Sequence, residues 1–366
     1  MVAFFIFLFL LFSLVIVHEA GHFFAARLFG IRVEEFGIGF PPRLWSFVRN
    51  SIRYSVNLLP FGGFVRIYGE DGGDKDHPDS FVAKPFGIRL AVLGAGVFMN
   101  WTIAVLLLSL VLLLGRPAPV ADTLDAKDAF VQLSAVAPQS PAQAATLHPG
   151  DKIISLNSQG EELAPTQVGE MQEFIKRHAG SLVSVTVKRG GNIFTTSVVP
   201  RAAPPEGQGP LGVALVRIAL QTFPWYEVPW RAGFLAASST VTIAQGLGTL
   251  AKDLFAGRNI IDQVAGPVGL VVLTGDVAGY GVSYLIYFAA LISINLAMLN
   301  VLPFPALDGG RAFLLTVEQI IRRPLPKKIV EPLNAAGLGI LFLVLIVITV
   351  HELEKYHQQL FKSFFQ

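Results

Sequence analysis

The chain has no cysteine. Disulfides and thiolate metal ligands are therefore excluded, and any bound metal must rely on His, Asp and Glu. Charge is also scarce: Asp, Glu, Lys and Arg make up 15% of the 366 residues, against 52% hydrophobic residues, and mean hydropathy is +0.56. That balance fits a membrane protein with one soluble insert better than a soluble enzyme. The net charge of +2 asks for no acidic partner, so no nucleic acid is expected. The first apolar run has no basic segment before it and no A-x-A-like site after it, so it is expected to be a retained helix and not a cleaved secretory signal.

What interrupts that run is the most informative feature present. Residues 1–17 carry no charge, and His18, Glu19, Ala20, Gly21 and His22 follow directly. This is H-E-x-x-H on a hydrophobic helix. Positions i and i+4 share one face, so both imidazoles can reach one zinc ion (Zn2+) with Glu19 beside the water it activates. Ionisable groups at membrane depth are costly and mark functional sites facing protein or water. The motif points to a metalloprotease, and its setting to one that works within the lipid bilayer.

Four stretches are long and apolar enough to span a bilayer, at about 2–28, 88–115, 281–302 and 334–351. The loop between the first two is rich in arginine (Arg32, Arg43, Arg49, Arg53, Arg66), and Arg322, Arg323, Lys327 and Lys328 follow the third. The positive-inside rule makes both loops cytoplasmic and puts the region 116–280 outside. At about 1.5 Å per residue from Val2, His18 then lies roughly 24 Å below the outer surface, in the cytoplasmic half of a core about 30 Å thick.

The expected organisation is an N-terminal membrane part over 1–115, a small α/β domain over 120–218, an amphipathic surface helix or linker over 219–280 and a C-terminal membrane part over 281–366. Residues 228–256 read as a surface helix, with a fifth span as the alternative. Within the loop 29–87, Arg53–Leu59 and Pro60–Tyr68 read as strand–turn–strand with an apolar tip at Gly62, Gly63 and Phe64. Either this hairpin dips into the membrane and offers a strand edge to an extended substrate, or it is a cytoplasmic unit with its own small core. Residues 70–80 read as a solvated turn, with His77 exposed.

Zinc needs a third protein ligand and an open position. Asp308, in Leu307-Asp308-Gly309-Gly310-Arg311, is the candidate, since it follows the third span at the cytoplasmic depth of His18 and His22. Taken alone, an aspartate there reads sooner as a helix cap; the match in depth reverses that and selects the ligand reading. Asn295 and Asn300 either hydrogen-bond substrate or link helices to one another. The stretch His351–His357 carries Lys355 at the i+4 position, so the zinc spacing fails and a solvated helix end is expected. His148 and His178 fall in the outer domain and are given no metal role.

Taken together, His18-Glu19-Ala20-Gly21-His22, Asn100 in the second span, Asn295 through Asp308-Gly309, and Gly266-Pro267-Val268-Gly269 resemble the site-2 protease family of intramembrane zinc metalloproteases, in particular its bacterial regulator-of-sigma-E protease branch. The resemblance implies four core transmembrane helices, zinc held by His18, His22 and Asp308, and Glu19 as the catalytic base. It also implies cleavage of single-span substrates within their membrane helix, such as trimmed anti-sigma factors or signal-peptide remnants, in the bacterial cytoplasmic (inner) membrane.

The outer domain resembles a circularly permuted PDZ domain, through Ser140-Pro141-Ala142 and Leu147–Asn157. Its peptide-end loop would be Gly209, Pro210, Leu211, Gly212 and Val213, able to capture peptide termini through backbone N–H groups. One such domain fits where the best-known enterobacterial relatives carry two, and Gly94-Ala95-Gly96-Val97 lacks a proline often found there. The fold class expected is thus a polytopic α-helical membrane protein with a membrane-associated β-hairpin and one inserted extracytoplasmic PDZ domain. Two other readings, a catalytically silent PDZ scaffold and a metal transporter, are disfavoured by the presence of both Glu19 and Asp308 and by the clustering of polar residues at one depth.

Overall fold

The computed structural model describes residues 2–365 except 74, 127, 190 and 191, and the backbone alone at Phe40, Pro60, Phe61 and 357–365. His357 therefore lies outside the described side chains. In chain order the elements are α1 (Val2–Leu28), β1 (Val33–Arg49), β2 (Ile52–Ile67), α2 (Phe86–Leu114), β3 (Arg116–Pro119), β4 (Phe130–Val136), α3 (Pro141–Ala144), β5 (Lys152–Ser158), β6 (Glu161–Leu163), α4 (Val168–Arg177), β7 (Val183–Arg189), β8 (Asn192–Val198), β9 (Val213–Gln221), α5 (Val228–Phe255), α6 (Pro267–Tyr280), α7 (Val282–Val301), α8 (Asp308–Ile321) and α9 (Lys327–Phe365). They group into two compact units, one of residues 1–108, 230–273 and 289–366, the other of 109–229 and 274–288.

Six helical segments among the described residues are long and apolar enough to cross a membrane: α1, α2, α5, Ile261–Tyr280, α7 and Lys327–Tyr356. The sequence reading counted four and treated 219–280 as an amphipathic linker or surface helix, with a fifth span at 228–256 as its alternative. The difference has a physical cause in α5. Its hydroxyls return to their own helix, Thr240 Oγ1 to Ala236 O at 2.8 Å, Thr242 to Ser238 O at 3.1 Å and Thr249 to Gln245 O at 3.0 Å. Polar residues satisfied this way weigh little against membrane burial.

In the first unit, β1 and β2 form a two-stranded sheet. The sheet has two reversals, one at Asn50 and Ser51, which hold positive φ, 49° and 63°, and one within β2 around Gly62, where the sequence placed its apolar tip. Two consecutive residues with φ above zero are what a tight two-residue hairpin requires, and asparagine tolerates it well. Within β2 the chain folds back between Leu59 and Gly63, so that its two arms run in opposite directions. Residues 35–38 have Cα partners on both flanks, Arg53–Val56 and Gly63–Arg66. Glu35 is buried inside this sheet, accepting from Ser55 Oγ at 2.7 Å and Arg43 Nη2 at 2.8 Å. Burial alone would raise the Glu35 carboxyl, but those two donors hold it below its usual range.

One face of the sheet has a core shared with the helices, in which Ile31, Val33, Ile52 and Ile67 meet Ala26, Val92 and Leu315. Elsewhere the sheet exposes Leu44, Trp45, Phe47, Val48, Leu58 and Leu59. The segment read as a solvated turn is only partly so. Ser80 is buried and Glu70 pairs with Arg311 of α8, whereas His77 is exposed as expected. Burial pushes the Glu70 carboxyl up, against the pull of Arg311. The helix end at His351 is not simply solvated either. Glu352 is buried and accepts from Gly266 N at 2.7 Å and Val268 N at 3.1 Å, which caps the first turn of α6. His351 Nε2 stands 2.8 Å from Asp262.

The second unit is built on a seven-stranded sheet in the order β3-β9-β4-β5-β7-β8, with β6 paired to β5. Val131, Leu133, Leu156, Val185 and Val187 pack against Met171 and Phe174 of α4. The alternation of Val183, Val185 and Val187 is what puts one strand face into this core. Ser140 Oγ caps α3 by accepting from Gln143 N at 3.1 Å. Asp151 is fully buried and held by Arg189 at 2.6 and 2.7 Å. In the loop at 209–213, Gly212 N donates to Gly209 O, and Ala142 N and Ala137 N donate to the carbonyls of Leu211 and Gly212. Val213 begins β9 and pairs with Val136. His178 is buried against Phe174, with Nδ1 3.0 Å from Phe174 O.

Candidate metal centre

α1 has no proline and runs unbroken through His18, Glu19 and His22, so the two imidazoles emerge on one face with ring centroids 4.9 Å apart. Both rings are buried. Opposite them stands Asp308, the first residue of α8. The cap position of that helix is Leu307 and makes no side-chain bond, so the Asp308 carboxylate is not engaged as a helix cap. Its Oδ2 lies 2.9 Å from His18 Nε2 and 3.2 Å from His22 Nε2, and the two nitrogens lie 3.2 Å from each other. Two donors bound to one zinc at about 2.0–2.1 Å and a tetrahedral angle stand about 3.3 Å apart. The triangle of His18, His22 and Asp308 has those dimensions, and it is the one His/Asp/Glu group of metal-binding size among the described residues.

The far side of each imidazole fixes its tautomer. His22 Nδ1 is 2.9 Å from the carbonyl of Val92, which can only accept, so the proton sits on Nδ1 and Nε2 keeps its lone pair. His18 Nδ1 lies 3.4 Å from the amide of Asn100, a residue with no solvent exposure whose Oδ1 has no other partner. With the amide turned so that Oδ1 accepts from Nδ1–H, the orphaned oxygen is satisfied and His18 Nε2 is also free to ligate. Three lone pairs then converge on one point, which favours a cation there. Ser293 Oγ donates to the Asn100 backbone carbonyl at 2.7 Å and links α7 to this arrangement. An Asn100→Ala variant is expected to bind zinc about 10–100-fold more weakly, as for other supports of ligating histidines, while Asn100→Asp keeps the acceptor and most of the affinity. Competition against a calibrated chelator measures both.

Two glycines make room for the site. A Cβ on Gly96 of α2 would stand 2.6 Å from His18 Nε2 and would also overlap the His22 ring. A Cβ on Gly21 would stand 2.8 Å from the carbonyl carbon of Ala95, so α1 and α2 meet backbone to backbone. The loop before Asp308 is pinned by Asn334 of α9, which accepts from Ala306 N at 3.3 Å; Ala306 holds φ at 75°, uncommon for a residue with a Cβ.

Glu19 is half-buried, and Gly63 of β2 is beside it: a Cβ on Gly63 would be 3.4 Å from Glu19 Cγ. Phe64 packs its ring over Gly37, whose missing side chain leaves the space. Gly62 holds φ at 88°. Asn295 is exposed on α7, Asn300 is partly buried, and neither hydrogen-bonds to the triangle among the described residues. Sequence reasoning had no route to the Val92 carbonyl, which carries no side-chain signature. It noted Asn100 only through a family pattern, and it did not single out Asn334.

Comparison with known proteins agrees with this picture. Residues 6–344 match the profile of peptidase family M50. A protein of Clostridium perfringens that bears a zinc-metalloprotease name is 33% identical over 341 residues, covering 93% of this chain and 95% of its own. The zinc metalloprotease RasP of Geobacillus kaustophilus is 27% identical over 435 residues, covering 94% and 96%. The chloroplastic membrane metalloprotease ARASP of Arabidopsis thaliana is 31% identical over 348 residues, covering 92% and 75%.

Proposed function

Because the chain belongs to peptidase family M50, the site-2 proteases, and is a multi-pass zinc metalloprotease, we propose that it cleaves single-span membrane proteins within their transmembrane helix. The observation that carries the reading is the convergence of His18 Nε2, His22 Nε2 and Asp308 Oδ2 within 2.9–3.2 Å at the end of an apolar helix. In this reading those three residues are the zinc ligands and Glu19 is the general base. Zinc, when bound there, polarises the attacking water and the scissile carbonyl. Glu19 accepts a proton from that water and passes it to the leaving amine. Val92 and Asn100 hold the imidazoles in the ligating tautomer, and the buried setting keeps the proton transfers within reach of one carboxylate.

A transmembrane helix has its scissile bonds closed into its own hydrogen-bond ladder, so it must unwind before attack. The segment Gly63–Arg66 of β2 runs past Glu19, with residues 35–38 on one flank. We assign it the role of pairing with the unwound substrate as an added strand, with Gly62, Gly63 and Phe64 nearest the cut. The outward Leu44, Trp45, Phe47 and Val48 then face lipid. A Gly63→Val variant places a side chain between Glu19 and the carbonyl of Gly37, 3.1 Å from the new Cβ. It should lower kcat/KM by about 10-fold or more with zinc content unchanged, the signature of a positioning loss.

The domain at 120–218 is proposed to act as a PDZ-type filter outside the membrane, taking the new terminus of a substrate already trimmed by another protease. Anti-sigma factors and signal-peptide remnants are the substrate classes this arrangement suits. Active site and arginine-rich loops then face the cytoplasm of a bacterial inner membrane. The reading is tested by stripping the reconstituted protein with a zinc chelator. Cleavage of a single-span substrate should vanish and return on adding about one equivalent of zinc; persistence of cleavage in metal-free protein refutes it.

A further inference from the structure

The first unit contains a cleft of about 800 Å³ between the loop after β2, the start of α2, the end of α8 and the start of α9. Its floor is apolar, from Phe81, Val82, Leu93, Leu314, Leu315 and Val330. Its walls are basic: Lys75, Arg89, Arg311, Arg322, Arg323 and Lys327 line it, against four carboxylates at Glu70, Asp71, Glu318 and Glu331. Two of the four are already engaged. Glu70 pairs with Arg311, and Glu318 takes Arg89 Nη2 at 3.5 Å and the Leu325 backbone N–H at 2.9 Å.

The other cations are left wholly or partly unpaired, Arg89 giving only Nη2 to Glu318. Arg89 Nε is buried without a hydrogen bond, and no ion pair holds Arg322, Arg323 or Lys327 among the described residues. Arg322 closes α8 with φ at 54°, in the left-handed region that residues with a Cβ seldom occupy. Lys327 reaches across the mouth, its Cε 3.5 Å from where a Cβ on Gly72 would lie. Lys327 also opens the apolar span of α9, so this basic rim sits where a membrane helix begins, at headgroup level.

An occupant must bring negative charge to the rim and hydrocarbon to the floor in one molecule. A soluble anion would leave Val82, Leu314 and Val330, which the fold only partly buries, against water. We propose that this cleft binds an anionic phospholipid, with its phosphate among Arg322, Arg323 and Lys327 and an acyl chain on the apolar floor. Basic pockets between membrane helices are suited to such headgroups. The proposal does not depend on the peptidase reading.

The test uses the full chain in lipid nanodiscs of pure phosphatidylcholine, titrated with phosphatidylglycerol, reading the thermal unfolding midpoint and the lipid retained by native mass spectrometry. Phosphatidylglycerol should raise the midpoint saturably. The pair Arg322→Gln and Arg323→Gln should weaken that apparent affinity about thirtyfold, and Lys327→Gln about fivefold, with midpoints in phosphatidylcholine unchanged. Lys328→Gln removes the same charge next door, outside the cleft, and should leave the titration as in the parent. Equal stabilisation by both lipids, or an equal loss in Lys328→Gln, overturns the proposal as nonspecific surface charge. A matching shift from inorganic phosphate alone overturns it in favour of a soluble anion.

Discussion

A Glu19→Gln variant should still hold about one zinc per chain and should cleave about 10²–10⁴-fold more slowly than the parent. Glutamine keeps the size and polarity of the side chain but cannot accept a proton at neutral pH. The proposed ligands are untouched: His18, His22 and Asp308 remain 2.9–3.2 Å apart, held from behind by Val92 and Asn100. Substrate binding along β2 should also survive, so the loss should fall in kcat and leave KM near the parent value. Zinc measured by plasma emission and single-turnover cleavage in liposomes read the two halves separately. Loss of zinc together with activity would mean that Glu19 holds the site together and is not its base.

The second large effect is steric. Gly96→Ala adds one methyl group to α2 where His18 Nε2 is 2.6 Å away and the His22 ring is also in contact. A real Cβ does not tolerate such distances, so either both imidazoles rotate away from Asp308 or α1 and α2 separate. Separation would draw Gly21 off Ala95, where α1 and α2 touch backbone to backbone. Zinc affinity should fall by on the order of 100-fold or more, and stability by about 1–3 kcal/mol, as for other overpacked interiors. Circular dichroism should show the helices intact. Normal zinc affinity in Gly96→Ala would contradict the backbone-to-backbone approach of α1 and α2.

Much of the site could be read in the sequence because its logic is local or depends on depth alone. His18 and His22 share a helix face by spacing. Asp308 lies 290 residues from His18, yet each ends up at the same end of an apolar segment, and the structure brings them to 2.9 Å. What could not be read depends on non-local pairing. The turn composition of Pro60–Gly63 marks a real reversal, but the second hairpin at Asn50–Ser51 and the insertion of residues 35–38 between the arms Arg53–Val56 and Gly63–Arg66 rest on pairing across the chain. Residues 219–280 look amphipathic when Ser and Thr are counted as polar. In α5 that polarity is reduced once Ser238, Thr240, Thr242 and Thr249 bond their own helix.

Buried charges were the other blind spot. Glu70 and Glu352 sit in strongly polar stretches, and only the tertiary structure shows one against Arg311 and the other capping α6. The supports of the metal triangle were invisible for a different reason. A backbone carbonyl such as that of Val92 is present at every position, so its identity carries no signal.

The measurement closest to the central claim is the position of the cut. A single-span substrate labelled at both ends is co-reconstituted with the full chain in liposomes, and the fragment masses are determined. Cleavage inside the substrate's apolar segment, abolished in Glu19→Gln and restored by zinc after chelation, is the predicted result. Cleavage only in the flanking soluble segments, or equal fragments from Glu19→Gln, would contradict the account.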